Sequence, residues 1–196
     1  MKYQEMTDAQ LIRRFREGDK NAINTLLSRY STNVYSYLIM MVKNEDLAND
    51  FLQETFIKVF ESIKRGKYEE KGIFLSWVIR IAHNLVIDYF RKNRHLPTVS
   101  NDESEYDLFN SPKFADKNIE ELLVQDQLQN DVRKLIEMLP PEQKEVVLLR
   151  HYGGLSFKEI AKLTGVSINT ALGRMRYALI NLRRLVKQQK LNLFID

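Results

Sequence analysis

The sequence predicts an all-α protein: two helical domains joined by a flexible acidic linker, the C-terminal one carrying a helix-turn-helix. Three observations predict it. Apolar residues recur at helical spacing in block after block, and no stretch alternates with period two long enough to suggest a sheet. The pattern dissolves from about His95 to Lys117, where Pro97, Ser100, Ser104, Ser111 and Pro112 sit among Asp102, Glu103, Glu105 and Asp107. The stretch from Leu155 to Ser167 holds two helix starts separated by a glycine turn. The domains are therefore expected over residues 1–95 and 118–196, with the acidic linker over 96–117.

Taken in order, Thr7 or Asp8 caps a first short helix carrying Leu11, Ile12 and Phe15, and Gly18 ends it. Asp19 caps a second helix to about Lys43, with Ala22, Ile23, Leu26, Leu27, Tyr30, Val34, Tyr35 and Leu38 on its apolar side. A third helix, Asp46 to about Lys64, turns Leu47, Phe51, Leu52, Phe56, Val59, Phe60 and Ile63 inward. Its other face carries Asp46, Asn49, Asp50, Gln53 and Glu54. Acids in a first turn suit the helix dipole, which accounts for Asp46 and Asn49, whereas Gln53 and Glu54 lie beyond its reach. Docking of a partner's basic or polar helix accounts for all five. Both readings stand on the residues alone.

After a polar loop from Arg65 to about Gly72, a fourth helix runs from Ile73 to about Arg94. Phe74, Val78, Ile81 and Leu85 make one apolar face, and Ile79, Val86 and Phe90 another, so the helix is wedged between neighbours. Its narrow polar wedge holds Arg80, His83, Asn84 and Arg91. Basic side chains beside Phe74, Trp77 and Tyr89 can hold a nucleic-acid backbone and stack unpaired bases. The plainer alternative buries Trp77 and pairs Arg80 with Asp88. Trp77 is expected to bury its body and expose one edge. Asp88 falls near the apolar face and is expected to pair with a neighbouring helix.

Helices resume at Asn118 to Met138 and Glu142 to His151, with Val146, Val147 and Leu149 inward. Ser156 and Glu159 then form a capping box for a helix that buries Phe157, Ile160, Ala161 and Leu163. Gly165 supplies the left-handed turn, and Ser167 caps the last helix. On that helix Ile168, Ala171, Leu172, Met175, Ala178, Leu179, Leu182, Leu185 and Val186 are expected on one broad apolar stripe. From Ser167 to Lys190 it carries Arg174, Arg176, Arg183, Arg184, Lys187 and Lys190 and no acid, which suits a phosphate backbone.

Charge distribution agrees. Of 30 basic and 26 acidic residues, 16 and 12 fall in residues 1–95, 2 and 5 in 96–117, and 12 and 9 in 118–196. Two basic blocks flank an acidic connector. The absence of cysteine rules out disulfides and thiolate sites, and fits a reducing cytoplasm. No signal peptide is read at the start, and the longest apolar run, Leu38 to Val42, is too short to span a bilayer, so no membrane insertion is expected. No phosphate-binding glycine loop is present, the three histidines have no metal spacing, and no catalytic triad is suggested. No enzyme activity, cofactor or metal is therefore expected.

These residues resemble the bacterial sigma factors of RNA polymerase, specifically the extracytoplasmic-function (ECF) group, over nearly the whole chain. Leu11-Ile12, Gly18-Asp19 and Ala22 resemble the start of the promoter-melting domain. Asp50-Phe51-Leu52-Gln53-Glu54-Thr55-Phe56 resembles the helix that binds the clamp coiled coil of the polymerase largest subunit. Trp77 to Asn84, with Asp88 and Arg91, resembles the helix for the −10 element. Leu139-Pro140 and Leu155 to Ala161 resemble the domain that reads the −35 element and contacts the polymerase flap.

The resemblance implies a subunit that binds core RNA polymerase and directs promoter-specific transcription initiation in the cytoplasm. It implies promoter DNA as a partner, and an anti-sigma factor is usual in the family. Core polymerase is expected on Asp46, Asn49, Asp50, Gln53 and Glu54. The −10 element is expected on Lys64 and Lys67 of the loop and on Phe74, Trp77, Arg80, His83, Asn84 and Arg91 of the fourth helix. The −35 element is expected on Ser167, Asn169, Thr170, Gly173, Arg174, Arg176 and Tyr177. One departure stands out. Family members commonly carry a basic and a small polar residue after the Thr-Val of the recognition helix, whereas this chain reads Thr170-Ala171-Leu172-Gly173-Arg174. Leu172 offers no hydrogen bond, and Gly173 costs about 1 kcal/mol of helix propensity against alanine. The base preference is therefore expected to shift. The rival expectation is a stand-alone helix-turn-helix regulator that binds duplex DNA without polymerase; it leaves the acidic face and the two-sided fourth helix without a purpose.

Overall fold

The computed structural model describes residues 3–93 and 130–189, so the expected linker and its boundaries lie outside the described residues. Among the described residues every regular element is helical. Helix α1 (Asp8–Arg16) starts with a capping box in which the Thr7 hydroxyl accepts from the Gln10 amide and the Gln10 side chain accepts from the Thr7 amide. It buries Leu11, Ile12 and Phe15. Gly18, at φ +98°, makes the turn into α2 (Lys20–Val42), which Asp19 caps. Helix α2 buries four consecutive residues near its end, Tyr37 to Met40, because helices pack around it there on several sides. Lys43 ends it in the left-handed conformation and reaches Glu137 at 3.6 Å.

Asn44 caps α3 (Glu45–Lys64), whose buried residues Ala48, Phe51, Thr55, Phe56, Val59 and Ile63 keep helical spacing. The loop to α4 (Phe74–Asn93) is fastened by Arg16, whose guanidinium donates to the carbonyls of Ile63 and Tyr68. Helix α4 buries Phe74, Val78, Ile79, Ala82 and Val86, with Ser76 and His83 buried among them. It is wedged as expected, except that Phe90 is 41% exposed.

The second group of helices is built the same way. A helical stretch, α5 (130–137), leads into α6 (Pro141–His151), where proline stands at the start of the helix and its fixed φ suits the first turn. Helix α6 buries Val146 to Leu149. Helix α7 (Phe157–Thr164) has the expected Ser156–Glu159 capping box and ends on Gly165 at φ +69°. Ser167 caps α8 (Ile168–Gln188).

Two expectations are corrected here. The apolar stripe of α8 is narrow: its buried line is Ala171, Ala178 and Leu185, one residue in seven, while Ile168, Leu172 and Leu179 are exposed. At 1.5 Å per residue α8 is about 31 Å long, and it lies against the much shorter α6 and α7, so it is covered along a seam and not over a broad face. Asp88 does not pair with a neighbouring helix; it binds Arg91 of its own helix at 2.8 Å. Arg80, too, has a partner other than Asp88, described below.

The two groups of helices meet. One contiguous buried apolar cluster runs from α1–α4 into α6–α8. Ser76 of α4 donates to the carbonyl of Gly153 at 2.9 Å, and both residues are buried. Gly153 has no room for a side chain, since a Cβ would stand 2.9 Å from the Ile79 methyl and 2.8 Å from the Leu149 carbonyl.

Candidate nucleic-acid interface

Three surfaces carry the residues expected to bind. The first is on α3. Its buried residues point one way, and Asp46, Asn49, Asp50, Gln53 and Glu54 are all exposed on the other side. Glu54 pairs with Lys58 at 3.3 Å, a half-exposed contact that a partner can displace at little cost. Ile57, 57% exposed, extends the face by one turn. The expectation from sequence does not include it, although its spacing, three after Glu54 and four after Gln53, puts it on the same face.

The second surface surrounds the loop and α4. Lys64, Lys67, Asn84 and Arg91 are exposed. The Lys64 ammonium rests over the Phe15 ring, 5.5 Å from its centroid, and Arg91 is held by Asp88. Trp77 is half-buried, as expected, and stacks on Tyr68 with ring centroids 3.9 Å apart. Phe74 is buried and meets Tyr68 edge-on, so it supports the aromatic stack from beneath. A cleft of about 720 Å³ opens beside it, lined in part by Asp8, Tyr30, Glu70, Phe74, Ser76 and the Gly153-Gly154 turn. Its polar groups are mutually satisfied: Asp8 accepts from Arg29 and from the Tyr30 hydroxyl, and Glu70 accepts from Tyr68 at 2.7 Å. Burial, then the Asp8 carboxylate, pushes the Tyr30 phenol up to about 12.

Arg80 and His83, expected to face DNA, face the second group of helices in this structure. The Arg80 guanidinium donates to Glu159 of α7 at 2.7 Å. Burial pushes the Glu159 carboxyl up, but hydrogen bonds from Ser156 and the charge of Arg80 hold it below its ordinary value. Glu159 is therefore an anion held on Arg80. His83 is 3% exposed. Burial lowers its pKa to about 4, so the ring is neutral at physiological pH. Its Nδ1 lies 2.8 Å from the Tyr37 hydroxyl and its Nε2 3.7 Å from Glu145, whose carboxyl burial pushes up. A carboxylate on the Nε2 side favours the proton there, which leaves Nδ1 to accept from Tyr37. These partners lie 46 to 79 residues away in the chain, and no local signal in the sequence could have found them.

The third surface is the outer face of α8. Asn169, Arg176 and Tyr177 are exposed, Tyr177 to 61%. The Ser167 hydroxyl accepts from the Thr170 amide and touches the Thr170 hydroxyl at 2.9 Å, so both are engaged in capping. Arg174 is half-buried and its charge acts on Glu145. A Cβ on Gly173 would meet no heavy atom within 4 Å, so the surface there is open. Among the described residues no group of acids and histidines could hold a metal ion.

Comparison with known proteins supplies the context. The family described as Sigma-70 region 2 matches residues 26–96, and the one described as Sigma-70, region 4 matches residues 129–177. The chain is 33% identical over 179 residues to the RNA polymerase sigma factor CarQ of Myxococcus xanthus, covering 91% of this chain and 97% of that protein. It is 31% identical over 176 residues to the ECF RNA polymerase sigma-E factor of Haemophilus influenzae, covering 88% and 91%. Among solved structures, CnrH in complex with the cytosolic domain of CnrY shares the fold with a TM-score of 0.60 at 19% identity, over 92% of this chain and 97% of that one. RpoE of Bartonella quintana, in complex with the anti-sigma factor NepR, gives 0.57 at 20%, over 84% and 96%.

Proposed function

The chain belongs to the ECF group of bacterial RNA polymerase sigma factors, and from that membership we propose how its three surfaces divide the work. It binds core RNA polymerase and directs promoter-specific transcription initiation. A stand-alone regulator is not favoured, since the matches cover both sigma regions in order.

The exposed face of α3 docks on the clamp coiled coil of the polymerase, with Asp46, Asn49, Asp50, Gln53 and Glu54 supplying charge and hydrogen bonds and Ile57 an apolar anchor. The observation that carries this reading is the exposure of all five polar residues while the buried line of the same helix is complete without them. The second surface captures the melted −10 strand. Lys64, Lys67 and Arg91 take phosphates, Asn84 offers hydrogen bonds, and the Trp77–Tyr68 stack receives an unstacked base. Taking a base from the duplex costs a few kcal/mol, which stacking and phosphate contacts offset. Arg80 and His83 join only when the second group of helices moves off α4. The third surface reads −35 duplex with the start of α8 in the major groove, through Asn169, Arg176 and Tyr177, while Ser167, Thr170, Gly173 and Arg174 shape the approach. Bond making belongs to the polymerase, and the chain has no catalysis of its own. No described helix is long and apolar enough to cross a membrane, and a cytoplasmic site of action follows from the partners. An anti-sigma factor is a further expected partner, as in the NepR complex.

Core binding and promoter-dependent transcription by wild type and Glu54→Arg test the assignment of α3. The charge reversal is expected to weaken core binding at least about tenfold and to lower transcript yield in step. Unchanged core binding would place the docking surface elsewhere. Tight duplex binding by a wild-type chain that ignores core polymerase would overturn the functional reading altogether.

A further inference from the structure

We propose that Leu172 reads thymine: its side chain meets the 5-methyl group of a thymine in the −35 duplex, and Gly173 lets the helix come close enough for it to do so. The proposal rests on the assignment of α8 as the −35 reader and deepens it.

The argument starts from the seam. Ala171, Ala178 and Leu185 define the side of α8 that faces the protein. Leu172 is 43% exposed and stands in one row with Asn169, three residues before it, and Arg176, four after. Those are the two side chains on this face best suited to base edges, asparagine for adenine and arginine for guanine. An apolar side chain set between them has one methyl group to recognise, that of thymine, the largest apolar feature the major groove offers. The surroundings favour a nucleic acid over an apolar protein partner. From Ser167 to Lys190 the chain carries six cations and no acid, and the shallow groove beside Leu172, floored by Phe157, Met175, Leu179 and Ile180, is rimmed by Arg176 and Arg183, so an apolar contact there is made under positive charge.

Reach decides whether the contact forms. A leucine is shorter than the arginine or lysine more common in such helices, so the backbone must lie nearer the base pairs. Gly173 is the next residue, and a side chain there would project into open space on the outer surface. Without one, the helix can settle deeper. Leu172 and Gly173 thus act as a pair: the departure that removes a hydrogen-bonding side chain also removes the spacer that would hold the leucine off.

The experiment uses holoenzyme reconstituted from the full chain and core polymerase. Promoter duplexes are selected by that holoenzyme from a pool randomised over the −35 region, and each selected thymine is replaced in turn by deoxyuridine, which lacks only the methyl. At one position the replacement is expected to weaken binding about fourfold, the scale of one buried methyl. Leu172→Ala should abolish that difference while leaving the responses at other positions intact. Because Leu172 is exposed, the variant keeps its fold, and an unchanged unfolding midpoint confirms it. Gly173→Ala, which strengthens the helix, should shrink the same difference. Neutral deoxyuridine replacement throughout, selection of no thymine, or a penalty that persists in Leu172→Ala would each overturn the proposal. Failure of the wild-type chain to assemble with core polymerase would instead sink the reading on which it rests.

Discussion

His83 shows what burial does to a single titratable side chain. The ring is neutral in the folded chain because burial lowers its pKa to about 4, whereas an unfolded histidine titrates near 6.5. Its stabilising neutral form is therefore matched in both states above pH 6.5. Below that the unfolded chain takes up the proton first, and stability falls as pH drops from about 6.5 toward 4. The loss is at most on the order of 3 kcal/mol. Glu145 works against it: its raised pKa means that acidification relieves the cost of its buried charge. Urea unfolding at pH 7.5 and pH 5 should show the decrease, and Glu145→Gln, which removes the opposing group, should make it steeper. His83→Gln should flatten it. A Glu145→Gln curve with no pH dependence in this window would contradict the burial argument. The phase of α4 puts His83 beside Arg80 and Asn84 on a polar side; the sequence could not convey that Tyr37 of α2 and Glu145 of α6 close over His83 while Asn84 stays exposed.

At the level of single helices, local chemistry was legible and breadth of contact was not. The capping box at Ser156–Glu159, the caps at Asp19 and Ser167, and the left-handed Gly165 all depend on residues within four positions, and the structure has each of them as expected. The exposed face of α3 is legible for the same reason, except for Ile57, whose apolar side chain gives no polar signal of exposure. The stripe of α8 is narrower than its periodicity predicts, because periodicity reports which residues share a side, not how much of that side a neighbour covers. The correction places Leu172 outside, and it leaves Arg176 and Tyr177 on the open face. Arg176→Ala should cost about 1–3 kcal/mol in promoter binding and relax preference at one base pair. Tyr177→Ala should weaken binding without altering the folded chain. Both are read from holoenzyme binding to a panel of single-base −35 variants, and unchanged binding by both would move the reading surface off this part of the helix.

For the molecule as a whole, the sequence predicted two helical groups but not that they meet. Among the contacts between them, Ser76 to Gly153 and Arg80 to Glu159 join residues 77 and 79 positions apart. Nothing in a local pattern foretells such pairs. On the proposed role of Arg80 in holding the −10 strand, Glu159 and a phosphate compete for the same guanidinium. Glu159→Gln keeps the capping box, since glutamine serves there as well as glutamate, and removes only the charge that Arg80 sees. The free chain carrying it should bind a single-stranded −10 oligonucleotide about fivefold more tightly, the upper end for a partly exposed ion pair. Fluorescence anisotropy would measure it, and equal affinity would mean that the contact does not compete with DNA.

The Arg80–Glu159 pair also bears on gene dosage. An inhibitor on a separate polypeptide is outnumbered when its target is overproduced. Glu159 is made one for one with Arg80 on the same chain, at a local concentration set by geometry and not by expression. Making more of the protein multiplies the chains without changing the fraction in which Arg80 is paired with Glu159.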